Sequence, residues 1–210
     1  MSAVILLDGN SLTRAQVAAI ACGGVQVALD DGQLQHVRRA ADFLAGKVRC
    51  GEPIYGVTTG FGSNADKLLG AHRARDELPG GNPQPRGEGL PEELQRNLIV
   101  SHAVCVGEPL APEVVRAMLA IRINTLMRGH SGIRVETLRA LAELLNRGVV
   151  PVIPEKGSVG ASGDLAPLSH LAIVLLGGGE AFYEGERMAG GEALHRARLQ
   201  PVKLSFKEGL

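Results

Sequence analysis

The tripeptide Ala161-Ser162-Gly163 consists of residues that can carry out chemistry on their own backbone. Because glycine has no Cβ, the amide nitrogen of Gly163 can approach the carbonyl carbon of Ala161 more closely than most residues would allow. Ring closure between these atoms, followed by loss of two waters, one involving the Ser162 hydroxyl, would leave a methylidene-imidazolone. This heterocycle carries an electron-poor exocyclic alkene. The tripeptide therefore indicates an electrophile built from protein alone.

A helix is predicted directly after the tripeptide. Residues 165–176 are mostly apolar over helical length and are followed by a run of glycines. Asp164 stands at the expected N-cap, and Pro167 is tolerated because it falls in the first turn. Unpaired N–H groups and the dipole at a helix N-terminus stabilise negative charge, which would make an electrophile there more reactive. Gly157 and Gly160 are expected to allow the tight turn that ring closure needs.

Two other interpretations of this segment involve no ring. Glycine-rich turns commonly precede helices, so the segment is also consistent with a turn that has no chemistry. A serine hydrolase is disfavoured, because the nucleophile elbow Gly-x-Ser-x-Gly requires glycine where this chain has Asp164. Without a hydrolase triad, Asp164 is more simply interpreted as a helix cap and His170 as an ordinary helical side chain.

The segment 157–170 resembles the signature of the aromatic amino acid ammonia-lyases and aminomutases, in which Ala-Ser-Gly becomes the methylidene-imidazolone group. Three further segments agree with that family in the same order, namely 55–62, 94–102 and 116–132. Four ordered matches over most of the chain are far more specific than one glycine-rich motif. The chain is therefore identified as a member of this family.

The resemblance implies a role for three residues outside the tripeptide. Tyr55 would be the base that removes the β-proton of the substrate, and since an unperturbed tyrosine has a pKa of about 10, its surroundings would have to stabilise the phenolate. Gly62, in the same loop, is assigned to substrate binding. His102 would contact the substrate ring, although a lone histidine on the apolar face of a helix is more often a core residue.

The substrate implied by the resemblance is L-histidine, which would lose ammonia to give trans-urocanate. Ser101-His102 is typical of histidine ammonia-lyases, but the same pair occurs in tyrosine aminomutases. A tyrosine aminomutase and a tyrosine or phenylalanine ammonia-lyase are therefore alternatives. An alternative of another class is a non-catalytic folded fragment that associates without forming the ring. The mechanism implied by the family requires no metal and no diffusible cofactor.

Composition disfavours several other classes of protein. The chain has 22 basic and 22 acidic side chains, so no net charge attracts nucleic acid or a membrane surface. No apolar run approaches the length of a membrane span, and 3–7 is too short for a secretory signal. Three cysteines without a Cys-x-x-Cys pair argue against a disulfide scaffold and a zinc site. A cytoplasmic setting is expected.

The expected fold is mainly α, with irregular loops and a small β-hairpin, in one domain spanning 1–210. Family members continue into a long helical bundle and assemble as tetramers. The chain is therefore expected to be the N-terminal portion of a longer or multi-chain enzyme and to be inactive alone. The patterns predict helices over 11–22, 31–49, from Pro91, from Pro112 to near Gly129, and 134–147, an extended 149–154, a hairpin around Gly185 and a mobile loop at 79–91.

Overall fold

The computed structural model describes residues 3–60, 90–158 and 163–209. Within these ranges the chain forms seven helices and seven short strands, which confirms the mainly α prediction. The helices are α1 (Arg14–Ala21), α2 (Asp31–Arg49), α3 (Leu90–His102), α4 (Pro112–Leu126), α5 (Val135–Asn146), α6 (Leu165–Leu175) and α7 (Gly190–Arg196). The strands are β1 (Val4–Leu7), β2 (Gln26–Leu29), β3 (Val106–Pro109), β4 (Val150–Pro151), β5 (Pro154–Lys156), β6 (Glu180–Tyr183) and β7 (Glu186–Ala189).

The core is centred on α4, which packs against α1 and α5. Leu119 and Ile123 of α4 and Leu138 and Leu144 of α5 are fully buried. Each such side chain contributes about 1.5–3 kcal/mol relative to an exposed one. The same cluster of buried residues continues to Val174 of α6, so the helix that follows the tripeptide is anchored in the core.

The strands form three small sheets. The hairpin predicted around Gly185 is confirmed, since β6 and β7 pair antiparallel from Glu180 opposite Ala189 to Tyr183 opposite Glu186. Glu184 and Gly185, between the strands, both have positive φ, as a two-residue type I′ turn requires. β4 pairs with the other edge of β6, β3 pairs antiparallel with β5, and β1 pairs parallel with β2.

The predicted helix boundaries agree with the structure except at α1, at α3 and at the end of α4, which is Leu126 rather than a residue near Gly129. α1 begins at Arg14 rather than residue 11, because Thr13 forms a capping box with Gln16. α3 ends at His102, so Cys105 lies beyond the end of this helix. α7 was not predicted. Most of the predicted loop at 79–91 lies outside the described residues, and none of the described helices is long and apolar enough to cross a membrane.

Two polar side chains join elements that are far apart in sequence. Arg116 of α4 donates from Nε to the carbonyls of Ile20 and Ala21 and from a terminal nitrogen to that of Leu145. It therefore satisfies carbonyl groups at the C-terminal ends of α1 and α5. Burial lowers the pKa of this guanidinium. No local sequence pattern marks Asn146, whose side chain accepts from the N–H of Val27 in β2 and donates to the carbonyl of the same residue.

Replacing Asn146 with alanine is expected to destabilise the chain by about 1–3 kcal/mol, because Val27 loses both hydrogen bonds in a partly buried position. The free energy of unfolding in urea is the measurement, with the slope of the transition expected to stay constant. Asn10→Ala is the matched control, since the Asn10 side chain is exposed and donates only to Asp8, two residues away. Equal stability of the two variants would contradict the role given to Asn146.

Candidate active site

The start of α6 has the geometry expected next to the tripeptide, with one correction. Asp164 occupies the N-cap position, but its side chain makes no capping hydrogen bond. Its backbone has ψ of 58° instead of the extended value usual at an N-cap, and its carboxylate accepts a hydrogen bond from the Ser158 hydroxyl. The prediction of a capping carboxylate is therefore wrong. The first-turn N–H groups of α6 are left without this acceptor.

Gly163 is the part of the tripeptide that the structure describes, whereas Ala161 and Ser162 lie outside the described residues. Its φ is 91°, in the region that side chains disfavour, and a Cβ built there would meet no described atom within 4 Å. The backbone conformation of this position thus favours glycine. A glycine held in this conformation fits the backbone ring closure predicted for the tripeptide.

Gly157 has a different role from the one predicted. Its φ is not positive, and a side chain at this position would overlap the Sγ of Cys105. Glycine is therefore required here by close packing against Cys105 rather than by a tight turn. Gly160, the other glycine expected to permit the turn, lies outside the described residues.

A cavity of about 440 Å³ lies beside the start of α6. Gly163 and Asp164 line it, together with residues of α3, α4 and α5 and the segment 204–209. Arg122 of α4 contributes a guanidinium to this wall, and burial lowers its pKa. No sequence pattern had indicated this position of Arg122 at a cavity.

The segment 205–209 is held against this cavity by Glu208, whose side chain is fully buried. Its carboxylate accepts hydrogen bonds from the backbone and guanidinium of Arg134, from the Thr137 hydroxyl and from the Ser205 N–H. Such a buried carboxylate is tolerated only because it is paired and fully hydrogen-bonded. The adjacent Gly209 donates its N–H to the buried Gln95 side chain of α3. This wall of the cavity is therefore rigidly connected to α3 and α5.

His102 is half-buried at the end of α3, the helix that packs against α6. Its Nδ1 lies 2.8 Å from the carbonyl oxygen of Leu98 and 3.1 Å from the Ser101 hydroxyl. Since a carbonyl can only accept, Nδ1 carries the proton, and Nε2 of the neutral ring is an acceptor. His102 is thereby suited to accept a hydrogen bond from an N–H group of a ligand ring.

Tyr55 begins a compact turn after α2, and 57% of its surface is exposed. The carbonyl of Ile54 accepts from the N–H groups of Val57, Thr58 and Thr59, and the Thr58 hydroxyl accepts from the N–H of Ile54. Gly56 has a φ of 68°, which glycine adopts without strain. The turn fixes the backbone beside Tyr55 while leaving much of its ring accessible.

His170 of α6, predicted to be an ordinary helical side chain, makes a long-range contact instead. Its Nε2 accepts a hydrogen bond of 3.0 Å from the N–H of Cys105, three residues beyond His102. The ring must therefore be neutral at Nε2. Burial lowers its pKa below the ordinary value of 6.5.

The stability of the chain is expected to fall as the pH drops through the window just below 6.5. In that window unfolded His170 binds a proton more readily than folded His170, so the unfolded state is favoured by acid. Below the lowered folded-state pKa the loss is complete. Unfolding in urea at a series of pH values measures the effect, and the profile of His170→Gln should lack this component. Parallel profiles for the two proteins would contradict the prediction.

The structure brings together only some of the predicted site residues. Gly163 lies on the cavity wall, and His102 is on the helix that packs against α6. Among the described residues that line the cavity, neither Tyr55 nor His102 is present. Gly62, predicted to bind substrate, lies outside the described residues. Over the described ranges, no group of three or more His, Cys, Asp or Glu side chains is arranged to hold a metal ion.

The fold is that of the aromatic amino acid lyases. The model of that family matches residues 12–210, and the chain therefore belongs to it. Among curated relatives, the histidine ammonia-lyase of Symbiobacterium thermophilum is 49% identical over 96% of the chain and 36% of the relative. That of Gloeobacter violaceus is 48% identical over 98% of the chain and 37% of the relative.

Solved structures give the same result for the fold. Histidine ammonia-lyase from Trypanosoma cruzi superposes with a TM-score of 0.83 at 38% identity, covering 99% of this chain and 36% of that one. Phenylalanine aminomutase from Pantoea agglomerans superposes with a TM-score of 0.84 at 35% identity, covering 100% and 37%. The chain thus spans little more than a third of the length of these proteins.

Proposed function

We propose that this chain is the N-terminal, prosthetic-group domain of a carbon–nitrogen lyase that eliminates ammonia from L-histidine to give trans-urocanate. The observation that carries the proposal is the 43–49% identity to histidine ammonia-lyases over nearly the whole chain. The Ser101-His102 pair and the Nδ1–H form of His102 support the same substrate, since an imidazole N–H can donate to Nε2.

The prosthetic group would be formed from Ala161, Ser162 and Gly163 without a metal or a diffusible cofactor. The left-handed backbone of Gly163 supports this assignment. The ring would supply an electron-poor alkene to which the amine of the substrate adds, so that the amine becomes a better leaving group. The first turn of α6, where the Asp164 side chain makes no cap, would provide N–H groups and a helix dipole that stabilise negative charge nearby.

Two further side chains would act directly on the substrate. Tyr55, exposed on a fixed turn, would remove the β-proton as a general base. His102 would accept a hydrogen bond from the substrate imidazole and orient it. Gly62 would contribute to substrate binding from the same loop as Tyr55. The remainder of the enzyme would bind the substrate carboxylate, so the 210-residue chain alone is expected to be inactive.

The test is an assay of the full-length protein that contains this chain against L-histidine, L-tyrosine and L-phenylalanine. Formation of urocanate from histidine alone is the expected result. A cinnamate or coumarate product would instead indicate a phenylalanine or tyrosine lyase. A β-amino acid would indicate an aminomutase, a second candidate favoured by the similarity to the phenylalanine and tyrosine aminomutases, at TM-scores of 0.82–0.84.

Replacing His102 with leucine in the full-length protein is expected to raise KM for L-histidine about tenfold, the equivalent of one lost hydrogen bond. The effect on the turnover of bound substrate should be smaller, because the chemistry would take place at other groups. Steady-state kinetics measure both constants. An unchanged KM would show that His102 does not contact the substrate.

Assembly of the active enzyme as a homotetramer is part of the same proposal and rests on the family. Sedimentation of the full-length protein tests it directly. A stable, active monomer would contradict it. If the full-length protein neither forms the ring nor deaminates an amino acid, the alternative of a non-catalytic assembly module is supported.

A further inference from the structure

His170 lies at a junction that the proposed mechanism does not use. Its Nε2 accepts the N–H of Cys105 at 3.0 Å, across 65 positions in sequence. Cys105 is buried, and its Sγ occupies the space where a side chain at Gly157 would lie. Cys105 therefore contacts Gly157, which precedes the loop that carries the tripeptide, and His170 of α6, the helix that follows this loop.

The same residue lies just beyond His102 in the chain. The N–H of Ala103 donates to the carbonyl of Ile99, and that of Val104 donates to the carbonyl of His102, so the backbone from α3 to residue 105 forms a tight turn. A displacement of Cys105 would therefore shift His102. His102, in turn, is held at Nδ1 by the carbonyl of Leu98 and has little freedom to compensate.

We infer that His170 is a positioning residue, which fixes His102 relative to α6, the helix that follows Ala161–Gly163, by accepting the N–H of Cys105. The expected effect on kcat/KM rests on the proposed function, whereas the expected effect on the backbone of residues 103–105 does not. It assigns to His170 no contact with the substrate. The side chain acts through the backbone of residues 103–105.

His170→Leu introduces an apolar side chain of moderate size and removes the Nε2 acceptor. His170→Gln instead places a carbonyl oxygen near the position of Nε2. His195→Leu makes the first change at an exposed histidine of α7 and is the matched control. In the 210-residue chain, hydrogen exchange at the Cys105 N–H is expected to accelerate at least tenfold in His170→Leu. It should stay slow in His170→Gln and His195→Leu.

In the full-length protein, kcat/KM for L-histidine is expected to fall about ten- to a hundredfold in His170→Leu, mainly through KM, because small displacements of positioning groups have effects of this size. His170→Gln should restore most of the loss. An unchanged kcat/KM in His170→Leu, or equal damage in both variants, would overturn the inference. An unsubstituted protein without activity on L-histidine would instead count against the proposed function. Hydrogen exchange at the Cys105 N–H would still test the hydrogen bond to His170.

Nitrogen chemical shifts of His170 in the unsubstituted chain provide a test that does not depend on the folding of any variant. Nε2 is expected to be unprotonated and Nδ1 protonated at neutral pH. A proton on Nε2 would be incompatible with the hydrogen bond from Cys105 and would overturn the inference by itself.

Discussion

The full-length protein will weigh two water molecules less than its sequence predicts, and its Ser162→Ala variant will lack this two-water deficit. Formation of the ring removes one water on closure and a second that includes the Ser162 hydroxyl. Alanine has no hydroxyl to lose, so the exocyclic alkene cannot form. Intact-mass spectrometry of the two proteins measures the difference directly.

The same substitution is expected to lower kcat at least about 10⁴-fold, the scale seen when a group that bonds covalently to the substrate is removed. The fold should survive, because serine to alanine is a small change and α6 is anchored by buried residues such as Leu171 and Val174. Ser158→Ala is the matched control. It removes a hydroxyl that contacts Asp164 close to the same loop, yet it should leave the mass deficit intact.

A two-water deficit that survives in Ser162→Ala would show that at least part of it arises elsewhere in the chain. The absence of a deficit in the unsubstituted, fully assembled protein would remove the electrophile from the proposed mechanism. The segment 157–163 would then be a glycine-rich turn without chemistry.

Tyr55→Phe is expected to lower kcat about 10²–10⁴-fold, the usual contribution of a general base, with a much smaller change in KM. The mass deficit should be unchanged, because Tyr55 has no part in forming the ring. Since more than half of the Tyr55 surface is exposed, stability should change by no more than about 0.5 kcal/mol. Kinetics, intact mass and urea unfolding of one preparation separate these effects.

The other tyrosine of the chain provides the matched control for this change. Tyr183 is half-buried in β6, part of the hairpin, and Tyr183→Phe should leave kcat unchanged. Full activity in Tyr55→Phe would show that another group removes the β-proton. A loss of activity accompanied by unfolding would assign the turn at Tyr55 a structural role instead.

Local patterns in the sequence were sufficient to predict much of the helical framework. The apolar period in 31–49 predicted α2, the residues before Gly148 predicted α5, and the apolar run after Asp164 predicted α6. Gly185 between short polar and apolar stretches predicted the hairpin. These elements follow from side-chain periodicity, capping and turn geometry, which act over a few residues and can be recognised without knowing the fold. The motif around Ala161–Gly163 also identified the family.

Features that depend on distant contacts were decided only by the tertiary structure. In the parallel pair β1–β2, Val27 is hydrogen-bonded by Asn146 from 119 positions away, and no local signal marks either residue. Glycine is needed at position 157 because Cys105 packs closely against it. The Asp164 carboxylate contacts Ser158 instead of capping α6. The amino-acid sequence by itself therefore indicated the residues that we propose form the electrophile, and it determined where the main helices lie. Which side chains contact Cys105 and Asp164 depended on the tertiary structure, because the contact between Cys105 and His170 joins segments remote in sequence and forms only when the whole core assembles.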